Sequence, residues 1–378
     1  KIDVLALGML SAMHRCFDLI SQHQQINLTM QSIPNDDPAT YDMLCTADSV
    51  GVFQIESRAQ MAMLPRLKPR CFYDLVIEIA IVRPGPIQGG MVHPYLRRRQ
   101  GLETVDYPSQ EIKSVLERTL GIPVFQEQVI RLAMVAAGFS GGQADQLRRA
   151  MASSGKSGSG KNSTLAQFEQ KLTDGMMARG YSLDFAERLF KQIQGFGVYG
   201  FPESHSASFA LLAYVSSWLK RHHPAAFFAG LLNSQPMGFY APAQIVRDAR
   251  EHDVEVRPVC VNASYWDNVI EPDGRGGLAL RLGFRQIKGM KRDDAEWIVS
   301  ARGNGYHDIP SLWHRAGVSP STLERLAEAD AFTGVGLTRR DALWQVKAIR
   351  ADRPLPLFND PIDGEVIPEP KVVLPMMN

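Results

Sequence analysis

Ser204-His205-Ser206-Ala207-Ser208-Phe209-Ala210, running on through Leu211-Leu212-Ala213-Tyr214-Val215 to Arg221, is the stretch on which the reading of this 378-residue chain turns. From Ala207 to Arg221 the apolar residues recur at spacings of three and four, the period of a helix that buries one face. His205 and Phe209 stand four apart, so on that helix they share a face. The same period appears at Gln126 to Ala137, Leu165 to Arg179 and Asp184 to Gln194, with Gly or Pro between the segments. A mainly α fold follows, up to about Asp253. From Val254 to Phe284 the pattern changes to short β-like runs around Pro258 and a Gly-rich turn at Asp273 to Gly277, which predicts minor β structure and a domain boundary. Two further helical units occupy Gly283 to Arg350. The prolines from Pro354 to Pro375 make a sustained helix impossible, and the tail reads as a linker. At the other end, Lys1-Ile2-Asp3-Val4-Leu5 reads as the middle of a strand.

With 45% hydrophobic residues the chain can bury two or three separate cores. Its apolar runs, such as Ala207 to Val215, are interrupted well short of the roughly 20 residues of a membrane helix, and no secretory signal opens the sequence. The expectation is a soluble, cytoplasmic protein with no membrane contact. The formal charge is only +1, but ten Lys or Arg face five Asp or Glu between Arg148 and His223, and twelve face eight between Arg281 and Arg350. Such local excess suits phosphates. Cys16, Cys45, Cys71 and Cys260 form no C-x-x-C pair, so neither zinc nor a disulfide framework is signalled, and all four are expected as buried small hydrophobes.

Three motifs mislead. Gly155 to Lys161 spells G-x-x-x-x-G-K, but Asn162 stands where a P-loop needs Ser or Thr for magnesium, and a helix rather than a strand precedes it. Gly195, Gly197 and Gly200 spell G-x-G-x-x-G after a helix, with no acidic residue about 20 positions on, and a tight turn is expected instead. His222-His223 before Pro224 is a helix end, since adjacent residues point to different faces.

Five short segments carry a more specific signal: Gly51-Val52-Phe53-Gln54-Ile55-Glu56-Ser57, Arg83-Pro84-Gly85-Pro86, Phe125-Gln126-Glu127-Gln128, Leu147-Arg148-Arg149-Ala150-Met151 and Ser204 to Ala210. In this order they resemble signatures of the bacterial C-family DNA polymerases, the family of the DNA polymerase III alpha subunit. Glu56-Ser57-Arg58-Ala59-Gln60 and Gly200-Phe201-Pro202-Glu203-Ser204-His205 are similar to its error-prone, damage-tolerant paralogue. The resemblance covers the C-terminal half of such an enzyme. It implies the end of a palm domain at 1–35, fingers at 36–253, a tandem helix-hairpin-helix domain at 254–350, and a linker at 351–378 towards a missing C-terminal domain.

The implied activity is DNA-directed DNA synthesis, error-prone and translesion in character, on primer-template DNA with deoxynucleoside triphosphates. Asp3 matches the third of the family's three metal-binding aspartates. Hard carboxylate oxygens suit Mg2+ at a transferring phosphate, and with the other two aspartates expected upstream of Lys1, this portion alone is expected to be inactive. Arg83, Arg148 and Arg149 are expected to offer guanidinium forks to the incoming triphosphate, and His205 with Phe209 a platform for its base. Lys288, Gly289 and Lys291, and in the second hairpin Gly334 and Gly336, are expected to meet the DNA backbone, although Lys291 stands where the usual hairpin has its second glycine. Pro354-Leu355-Pro356-Leu357-Phe358 resembles a sliding-clamp peptide with proline in place of glutamine, which implies weak or accessory-mediated clamp contact. The alternative from another class is a non-catalytic helix-hairpin-helix DNA-binding module.

Overall fold

The computed structural model describes residues 6–83, 86–87, 90–154, 162–199 and 202–349. The chain divides into two compact units, one built from 28–223 with the first ten residues, the other from 11–27 with everything from 224 onward.

Helix α1 (Leu7–Gln24) opens the described part of the chain, and the first unit is helical. Three of its helices begin at side-chain caps: Asp37 accepts the Thr40 N–H ahead of α2 (Pro38–Cys45), Ser57 accepts from Gln60 ahead of α3 (Arg58–Leu67), and Ser109 accepts from Ile112 ahead of α6 (Gln110–Leu116). Between them lie α4 (Phe72–Ile81) and α5 (Val92–Arg99). Every residue of α4 from Asp74 to Ile81 is buried, the carboxylates Asp74 and Glu78 included. It packs along α11 (Glu203–His222), the helix that the opening stretch predicts. The other periodic segments become α7 (Gln126–Ala137), α9 (Asn162–Met177) and α10 (Leu183–Tyr199), with α8 (Gly141–Ser154) between α7 and α9.

Two expectations are corrected. Gly195 and Gly197 lie inside α10 and not in a tight turn. Buried Ala186, Leu189, Phe190 and Ile193 anchor the preceding turns, and a glycine costs a helix only about 1 kcal/mol, so packing carries the helix through. Of the cysteines only Cys16 is buried; Cys45 and Cys260 are intermediate, and Cys71 is exposed. Cys71 occupies the entry position of α4, where the chain has not yet turned inward.

In the second unit α12 (Pro224–Asn233) packs on a three-stranded sheet of β1 (Val256–Arg257), β2 (Val269–Pro272) and β3 (Leu278–Arg281), and α13 (Pro242–Glu251) packs on α12. The order is β1-β3-β2, with β1 parallel to β3 at Val256↔Leu280 and β2 antiparallel to it at Ile270↔Leu280. These strands are the β-like runs expected after Val254. Because α12 and α13 pack with the sheet, the compact units divide at His223/Pro224, ahead of the composition change at Val254. Asn233 and Asn268 lock the sheet's edge: Asn233 Oδ1 accepts from the Asn268 backbone and side-chain amides at 2.8 and 2.7 Å, while Asn233 Nδ2 donates to the Asn268 carbonyl at 2.8 Å. Four helices follow, α14 (Arg292–Ser300), α15 (Ile309–Ala316), α16 (Pro320–Glu328) and α17 (Arg339–Ala348), around a core that includes Phe284, Ile298, Leu312, Leu323, Leu326 and Phe332.

Candidate functional site

His205 and Phe209 meet as their spacing predicts, with ring centroids 4.1 Å apart and planes at 49°. Phe53 adds a third ring, edge-on to Phe209 at 5.2 Å. Phe53 is held by the turn around Gly51: its N–H donates to Ser216 Oγ at 3.1 Å, Ser49 Oγ donates to the Ile55 carbonyl at 2.8 Å, and the Gly51 N–H donates to Glu56 Oε2 at 3.1 Å. Beneath the turn, fully buried Lys220 reaches Asp48 Oδ1 at 2.6 Å and the Val50 carbonyl at 3.1 Å. Burial pushes Glu56 up to about 7, against the Gly51 hydrogen bond and the Lys220 charge, which favour its ionised form.

The start of α11 is fixed by a second signature segment. Glu127 Oε2 accepts the N–H of Glu203 at 2.9 Å, satisfying one of the open donors of a helix N-terminus. Tyr73 donates its hydroxyl to Glu203 Oε1 at 2.9 Å, and the Arg118 guanidinium lies 3.8 Å above the Tyr73 ring. Gln128 is buried with its amide fully used: Oε1 accepts from Val124 and Phe125, and Nε2 donates to the Val115 carbonyl and to Thr119 Oγ1. Phe125 to Gln128 is thus a brace that seats α11 and with it His205.

Arg148 and Arg149 converge on one carboxylate. Arg148 Nη2 lies 2.8 Å from Asp145 Oδ1 and Arg149 Nη2 2.6 Å from Oδ2. The hydrogen bond from Arg148, with that from Arg149, holds Asp145 below the usual carboxylate range. Two guanidiniums that grip the two oxygens of a carboxylate have the geometry that grips two oxygens of a phosphate. Arg149 is 73% exposed and Arg148 33%, so both are within reach of a ligand. Arg83 is half-buried at the end of α4, its Nε donating to the Ile79 carbonyl at 3.2 Å, and burial lowers its pKa from the usual arginine value.

In the second unit Lys288, Gly289 and Lys291 are exposed on the loop into α14, with Gly289 at φ +77° and Lys291 in the capping position. The leading arm of this first hairpin is only a 3-10 turn, Phe284–Gln286, so the unit is shorter than the tandem expectation implies. The second hairpin is complete: α16, a loop in which Gly336 takes φ +80°, and α17 capped by Thr338. Gly336 has open space where a Cβ would stand. Gly334 does not, since a Cβ there would lie 2.7 Å from Cys260 Sγ, which gives this glycine a packing role.

Asp3, the Gly155 to Lys161 loop and Pro354 to Phe358 lie outside the described residues. Sequence reasoning missed Phe53, Asp145, Glu127 and Lys220 as partners. Only Asp145 carried a local signal, standing three and four residues before the two arginines.

Residues 9–180 match the bacterial DNA polymerase III alpha subunit finger domain, and residues 253–342 match a helix-hairpin-helix motif. The chain belongs to the bacterial DNA polymerase III alpha subunit family. It is similar to the error-prone DNA polymerase of Ruegeria pomeroyi, 62% identical over 100% of this chain and 34% of that protein. It is also similar to error-prone DNA polymerase 2 of Rhizobium meliloti, 58% identical over 97% of the chain and 33% of the relative, and to error-prone DNA polymerase 3 of Agrobacterium fabrum, 58% identical over 95% and 33%. The chain therefore spans about a third of the length of these curated relatives. Among the described residues no helix is long and apolar enough to cross a membrane.

Proposed function

We propose that the chain supplies the incoming-nucleotide and duplex-binding parts of an error-prone DNA-directed DNA polymerase. The observation that carries this reading is the convergence of Arg148 and Arg149 on Asp145, within the region that matches the finger domain. A triphosphate displaces the carboxylate and takes over both guanidinium forks, Arg83 adds a third cation, and the His205–Phe209–Phe53 stack supports the base. Stacking supports any base, in keeping with relaxed fidelity. Mg2+ would be held by Asp3 together with carboxylates beyond this chain and would supply charge neutralisation at the transferring phosphate. The substrates are primer-template DNA and deoxynucleoside triphosphates, in the cytoplasm, and the peptide at Pro354 to Phe358 gives at most weak direct contact with the sliding clamp.

The test is kinetic. In the polymerase carrying this chain, Arg148→Ala or Arg149→Ala should raise the nucleotide KM by at least tenfold while leaving primer-template affinity within about twofold, since a lost charge-assisted hydrogen bond costs roughly 1.5–3 kcal/mol. An unchanged nucleotide KM removes the arginines from the site.

The hairpins are tested separately. Duplex binding should weaken steeply with salt, and each of Lys288→Ala and Lys291→Ala should lower the logarithmic salt slope by about 1. A slope indifferent to both substitutions places the duplex elsewhere.

A further inference from the structure

The first unit contains a cleft that the proposed nucleotide site does not use. It has a volume of about 780 Å³ and is lined by residues that include Arg98, Ser109, Arg179, Tyr181, Phe185 and Gln192. Two of its features are built rather than incidental. Arg98 Nη1 donates to the Leu120 carbonyl at 2.8 Å and its Nε to Glu103 Oε1 at 2.9 Å, while Arg179 Nη1 donates to the Val135 carbonyl at 2.9 Å. Each guanidinium lies over a glycine in the left-handed region, Gly121 at φ +75° and Gly138 at φ +73°. A Cβ would stand 2.8 Å from Arg98 Nη1 at the first and 2.7 Å from Arg179 Nη2 at the second, so any other residue would displace the cation. Arg179 spends one N–H on the Val135 carbonyl and leaves the rest of its fork for a ligand.

Opposite chemistry lies in the same cleft. Tyr181 and Phe185 form an aromatic wall, centroids 6.0 Å apart, and the Tyr181 hydroxyl is fixed 2.8 Å from Ser109 Oγ. Asp106 and Glu111 also line it; they repel phosphate but accept hydrogen bonds from sugar hydroxyls.

We propose that this cleft binds a nucleoside phosphate at a site distinct from the Arg148–Arg149 fork. Arg98 and Arg179 take the phosphates, the Tyr181–Phe185 wall stacks the base, and the carboxylates receive the ribose. The size is that of a small-molecule site, and guanidiniums with an aromatic face in one cleft are elements that such a ligand requires.

Isothermal titration of the full 378-residue chain with ATP tests this. The Arg148→Ala/Arg149→Ala double variant, which lacks the proposed finger site, is expected to retain saturable binding; in that background binding should weaken at least tenfold on adding Arg179→Ala or Phe185→Ala and be partly restored by Arg179→Lys relative to Arg179→Ala. Melting temperatures of the variants separate lost binding from lost folding, and the exposed Arg179 makes its substitution the gentler probe. No saturable binding at millimolar ATP overturns the proposal. So does binding that, in the Arg148→Ala/Arg149→Ala background, survives both Arg179→Ala and Phe185→Ala in folded protein. Binding lost only in the double variant assigns ATP to the other fork and overturns this site while leaving the proposed function intact. Inorganic pyrophosphate bound as tightly as ATP overturns the nucleoside assignment.

Discussion

Lys220→Ala is expected to destabilise the first unit by about 3–5 kcal/mol, the largest effect of any single substitution considered for this chain. The Lys220 ammonium is fully buried and reaches both Asp48 and the Val50 carbonyl. Removing it leaves a partly buried carboxylate without its cation and takes from Glu56 the positive charge that favours its ionised form. The loss should depend on pH. Glu56 titrates near 7 in the folded chain and at the ordinary carboxyl value when unfolded, so the folded state holds the proton more tightly, and stability falls as pH rises from about 4.5 to about 7. Without Lys220 the Glu56 pKa rises further and the falling limb extends to higher pH. Denaturant melts of the variant at pH 6 and pH 8 should differ more than those of the parent; equal differences would show that Lys220 and Glu56 are not coupled. Because the turn above Lys220 carries Phe53, loss of the ring contact with Phe209 should accompany the destabilisation.

Glu78→Leu should act in the other direction, stabilising the chain by roughly 1–3 kcal/mol at neutral pH. Glu78 lies on α4 with 0% exposure, and neither carboxyl oxygen has a hydrogen-bond partner among the described residues. Burial pushes its pKa well above the ordinary value, and the folded chain bears the cost of two buried oxygens without hydrogen bonds. The folded pKa exceeds the unfolded one; stability from this group is complete below the ordinary carboxyl range and declines as pH rises towards the folded value. Leucine removes both the cost and the decline. A higher denaturation midpoint with a flatter pH profile is the expected result, and a lower midpoint would mean that Glu78 has a partner in solution. The structure offers no reason for a glutamate there.

Much of the helical framework was legible because it is written locally. Gln126 to Ala137 has a clean three-and-four period and a glycine, Gly138, that stops it in the left-handed region, and the helix has those bounds. The period at Asp184 to Gln194 was equally clear, but the glycines after it mimicked a stop that buried neighbours override. The hairpins were visible in part: Gly289 and Gly336 take positive φ as their motif requires, whereas the brevity of the first arm, a single 3-10 turn, left no mark in composition. The site's partners are another matter. Phe53 against Phe209 and Glu127 against the Glu203 N–H join segments far apart in sequence, and no spacing rule relates them. The Arg148–Asp145 and Arg149–Asp145 pairs obey the helical i, i+3 and i, i+4 rule and were readable in principle.

Asp145 also sets a threshold. A carboxylate on the same helix as its two arginines is a tethered competitor, present at an effective concentration that no dilution of the protein lowers. Any anion that is to occupy the fork must outbid it. If the fork takes an anion as proposed, a polyanion able to engage several cations at once would outcompete the carboxylate where singly charged anions would not, and the helix would discriminate among anions. Weakening the competitor, as in Asp145→Asn, would be expected to trade selectivity among anions for tighter occupancy by all of them.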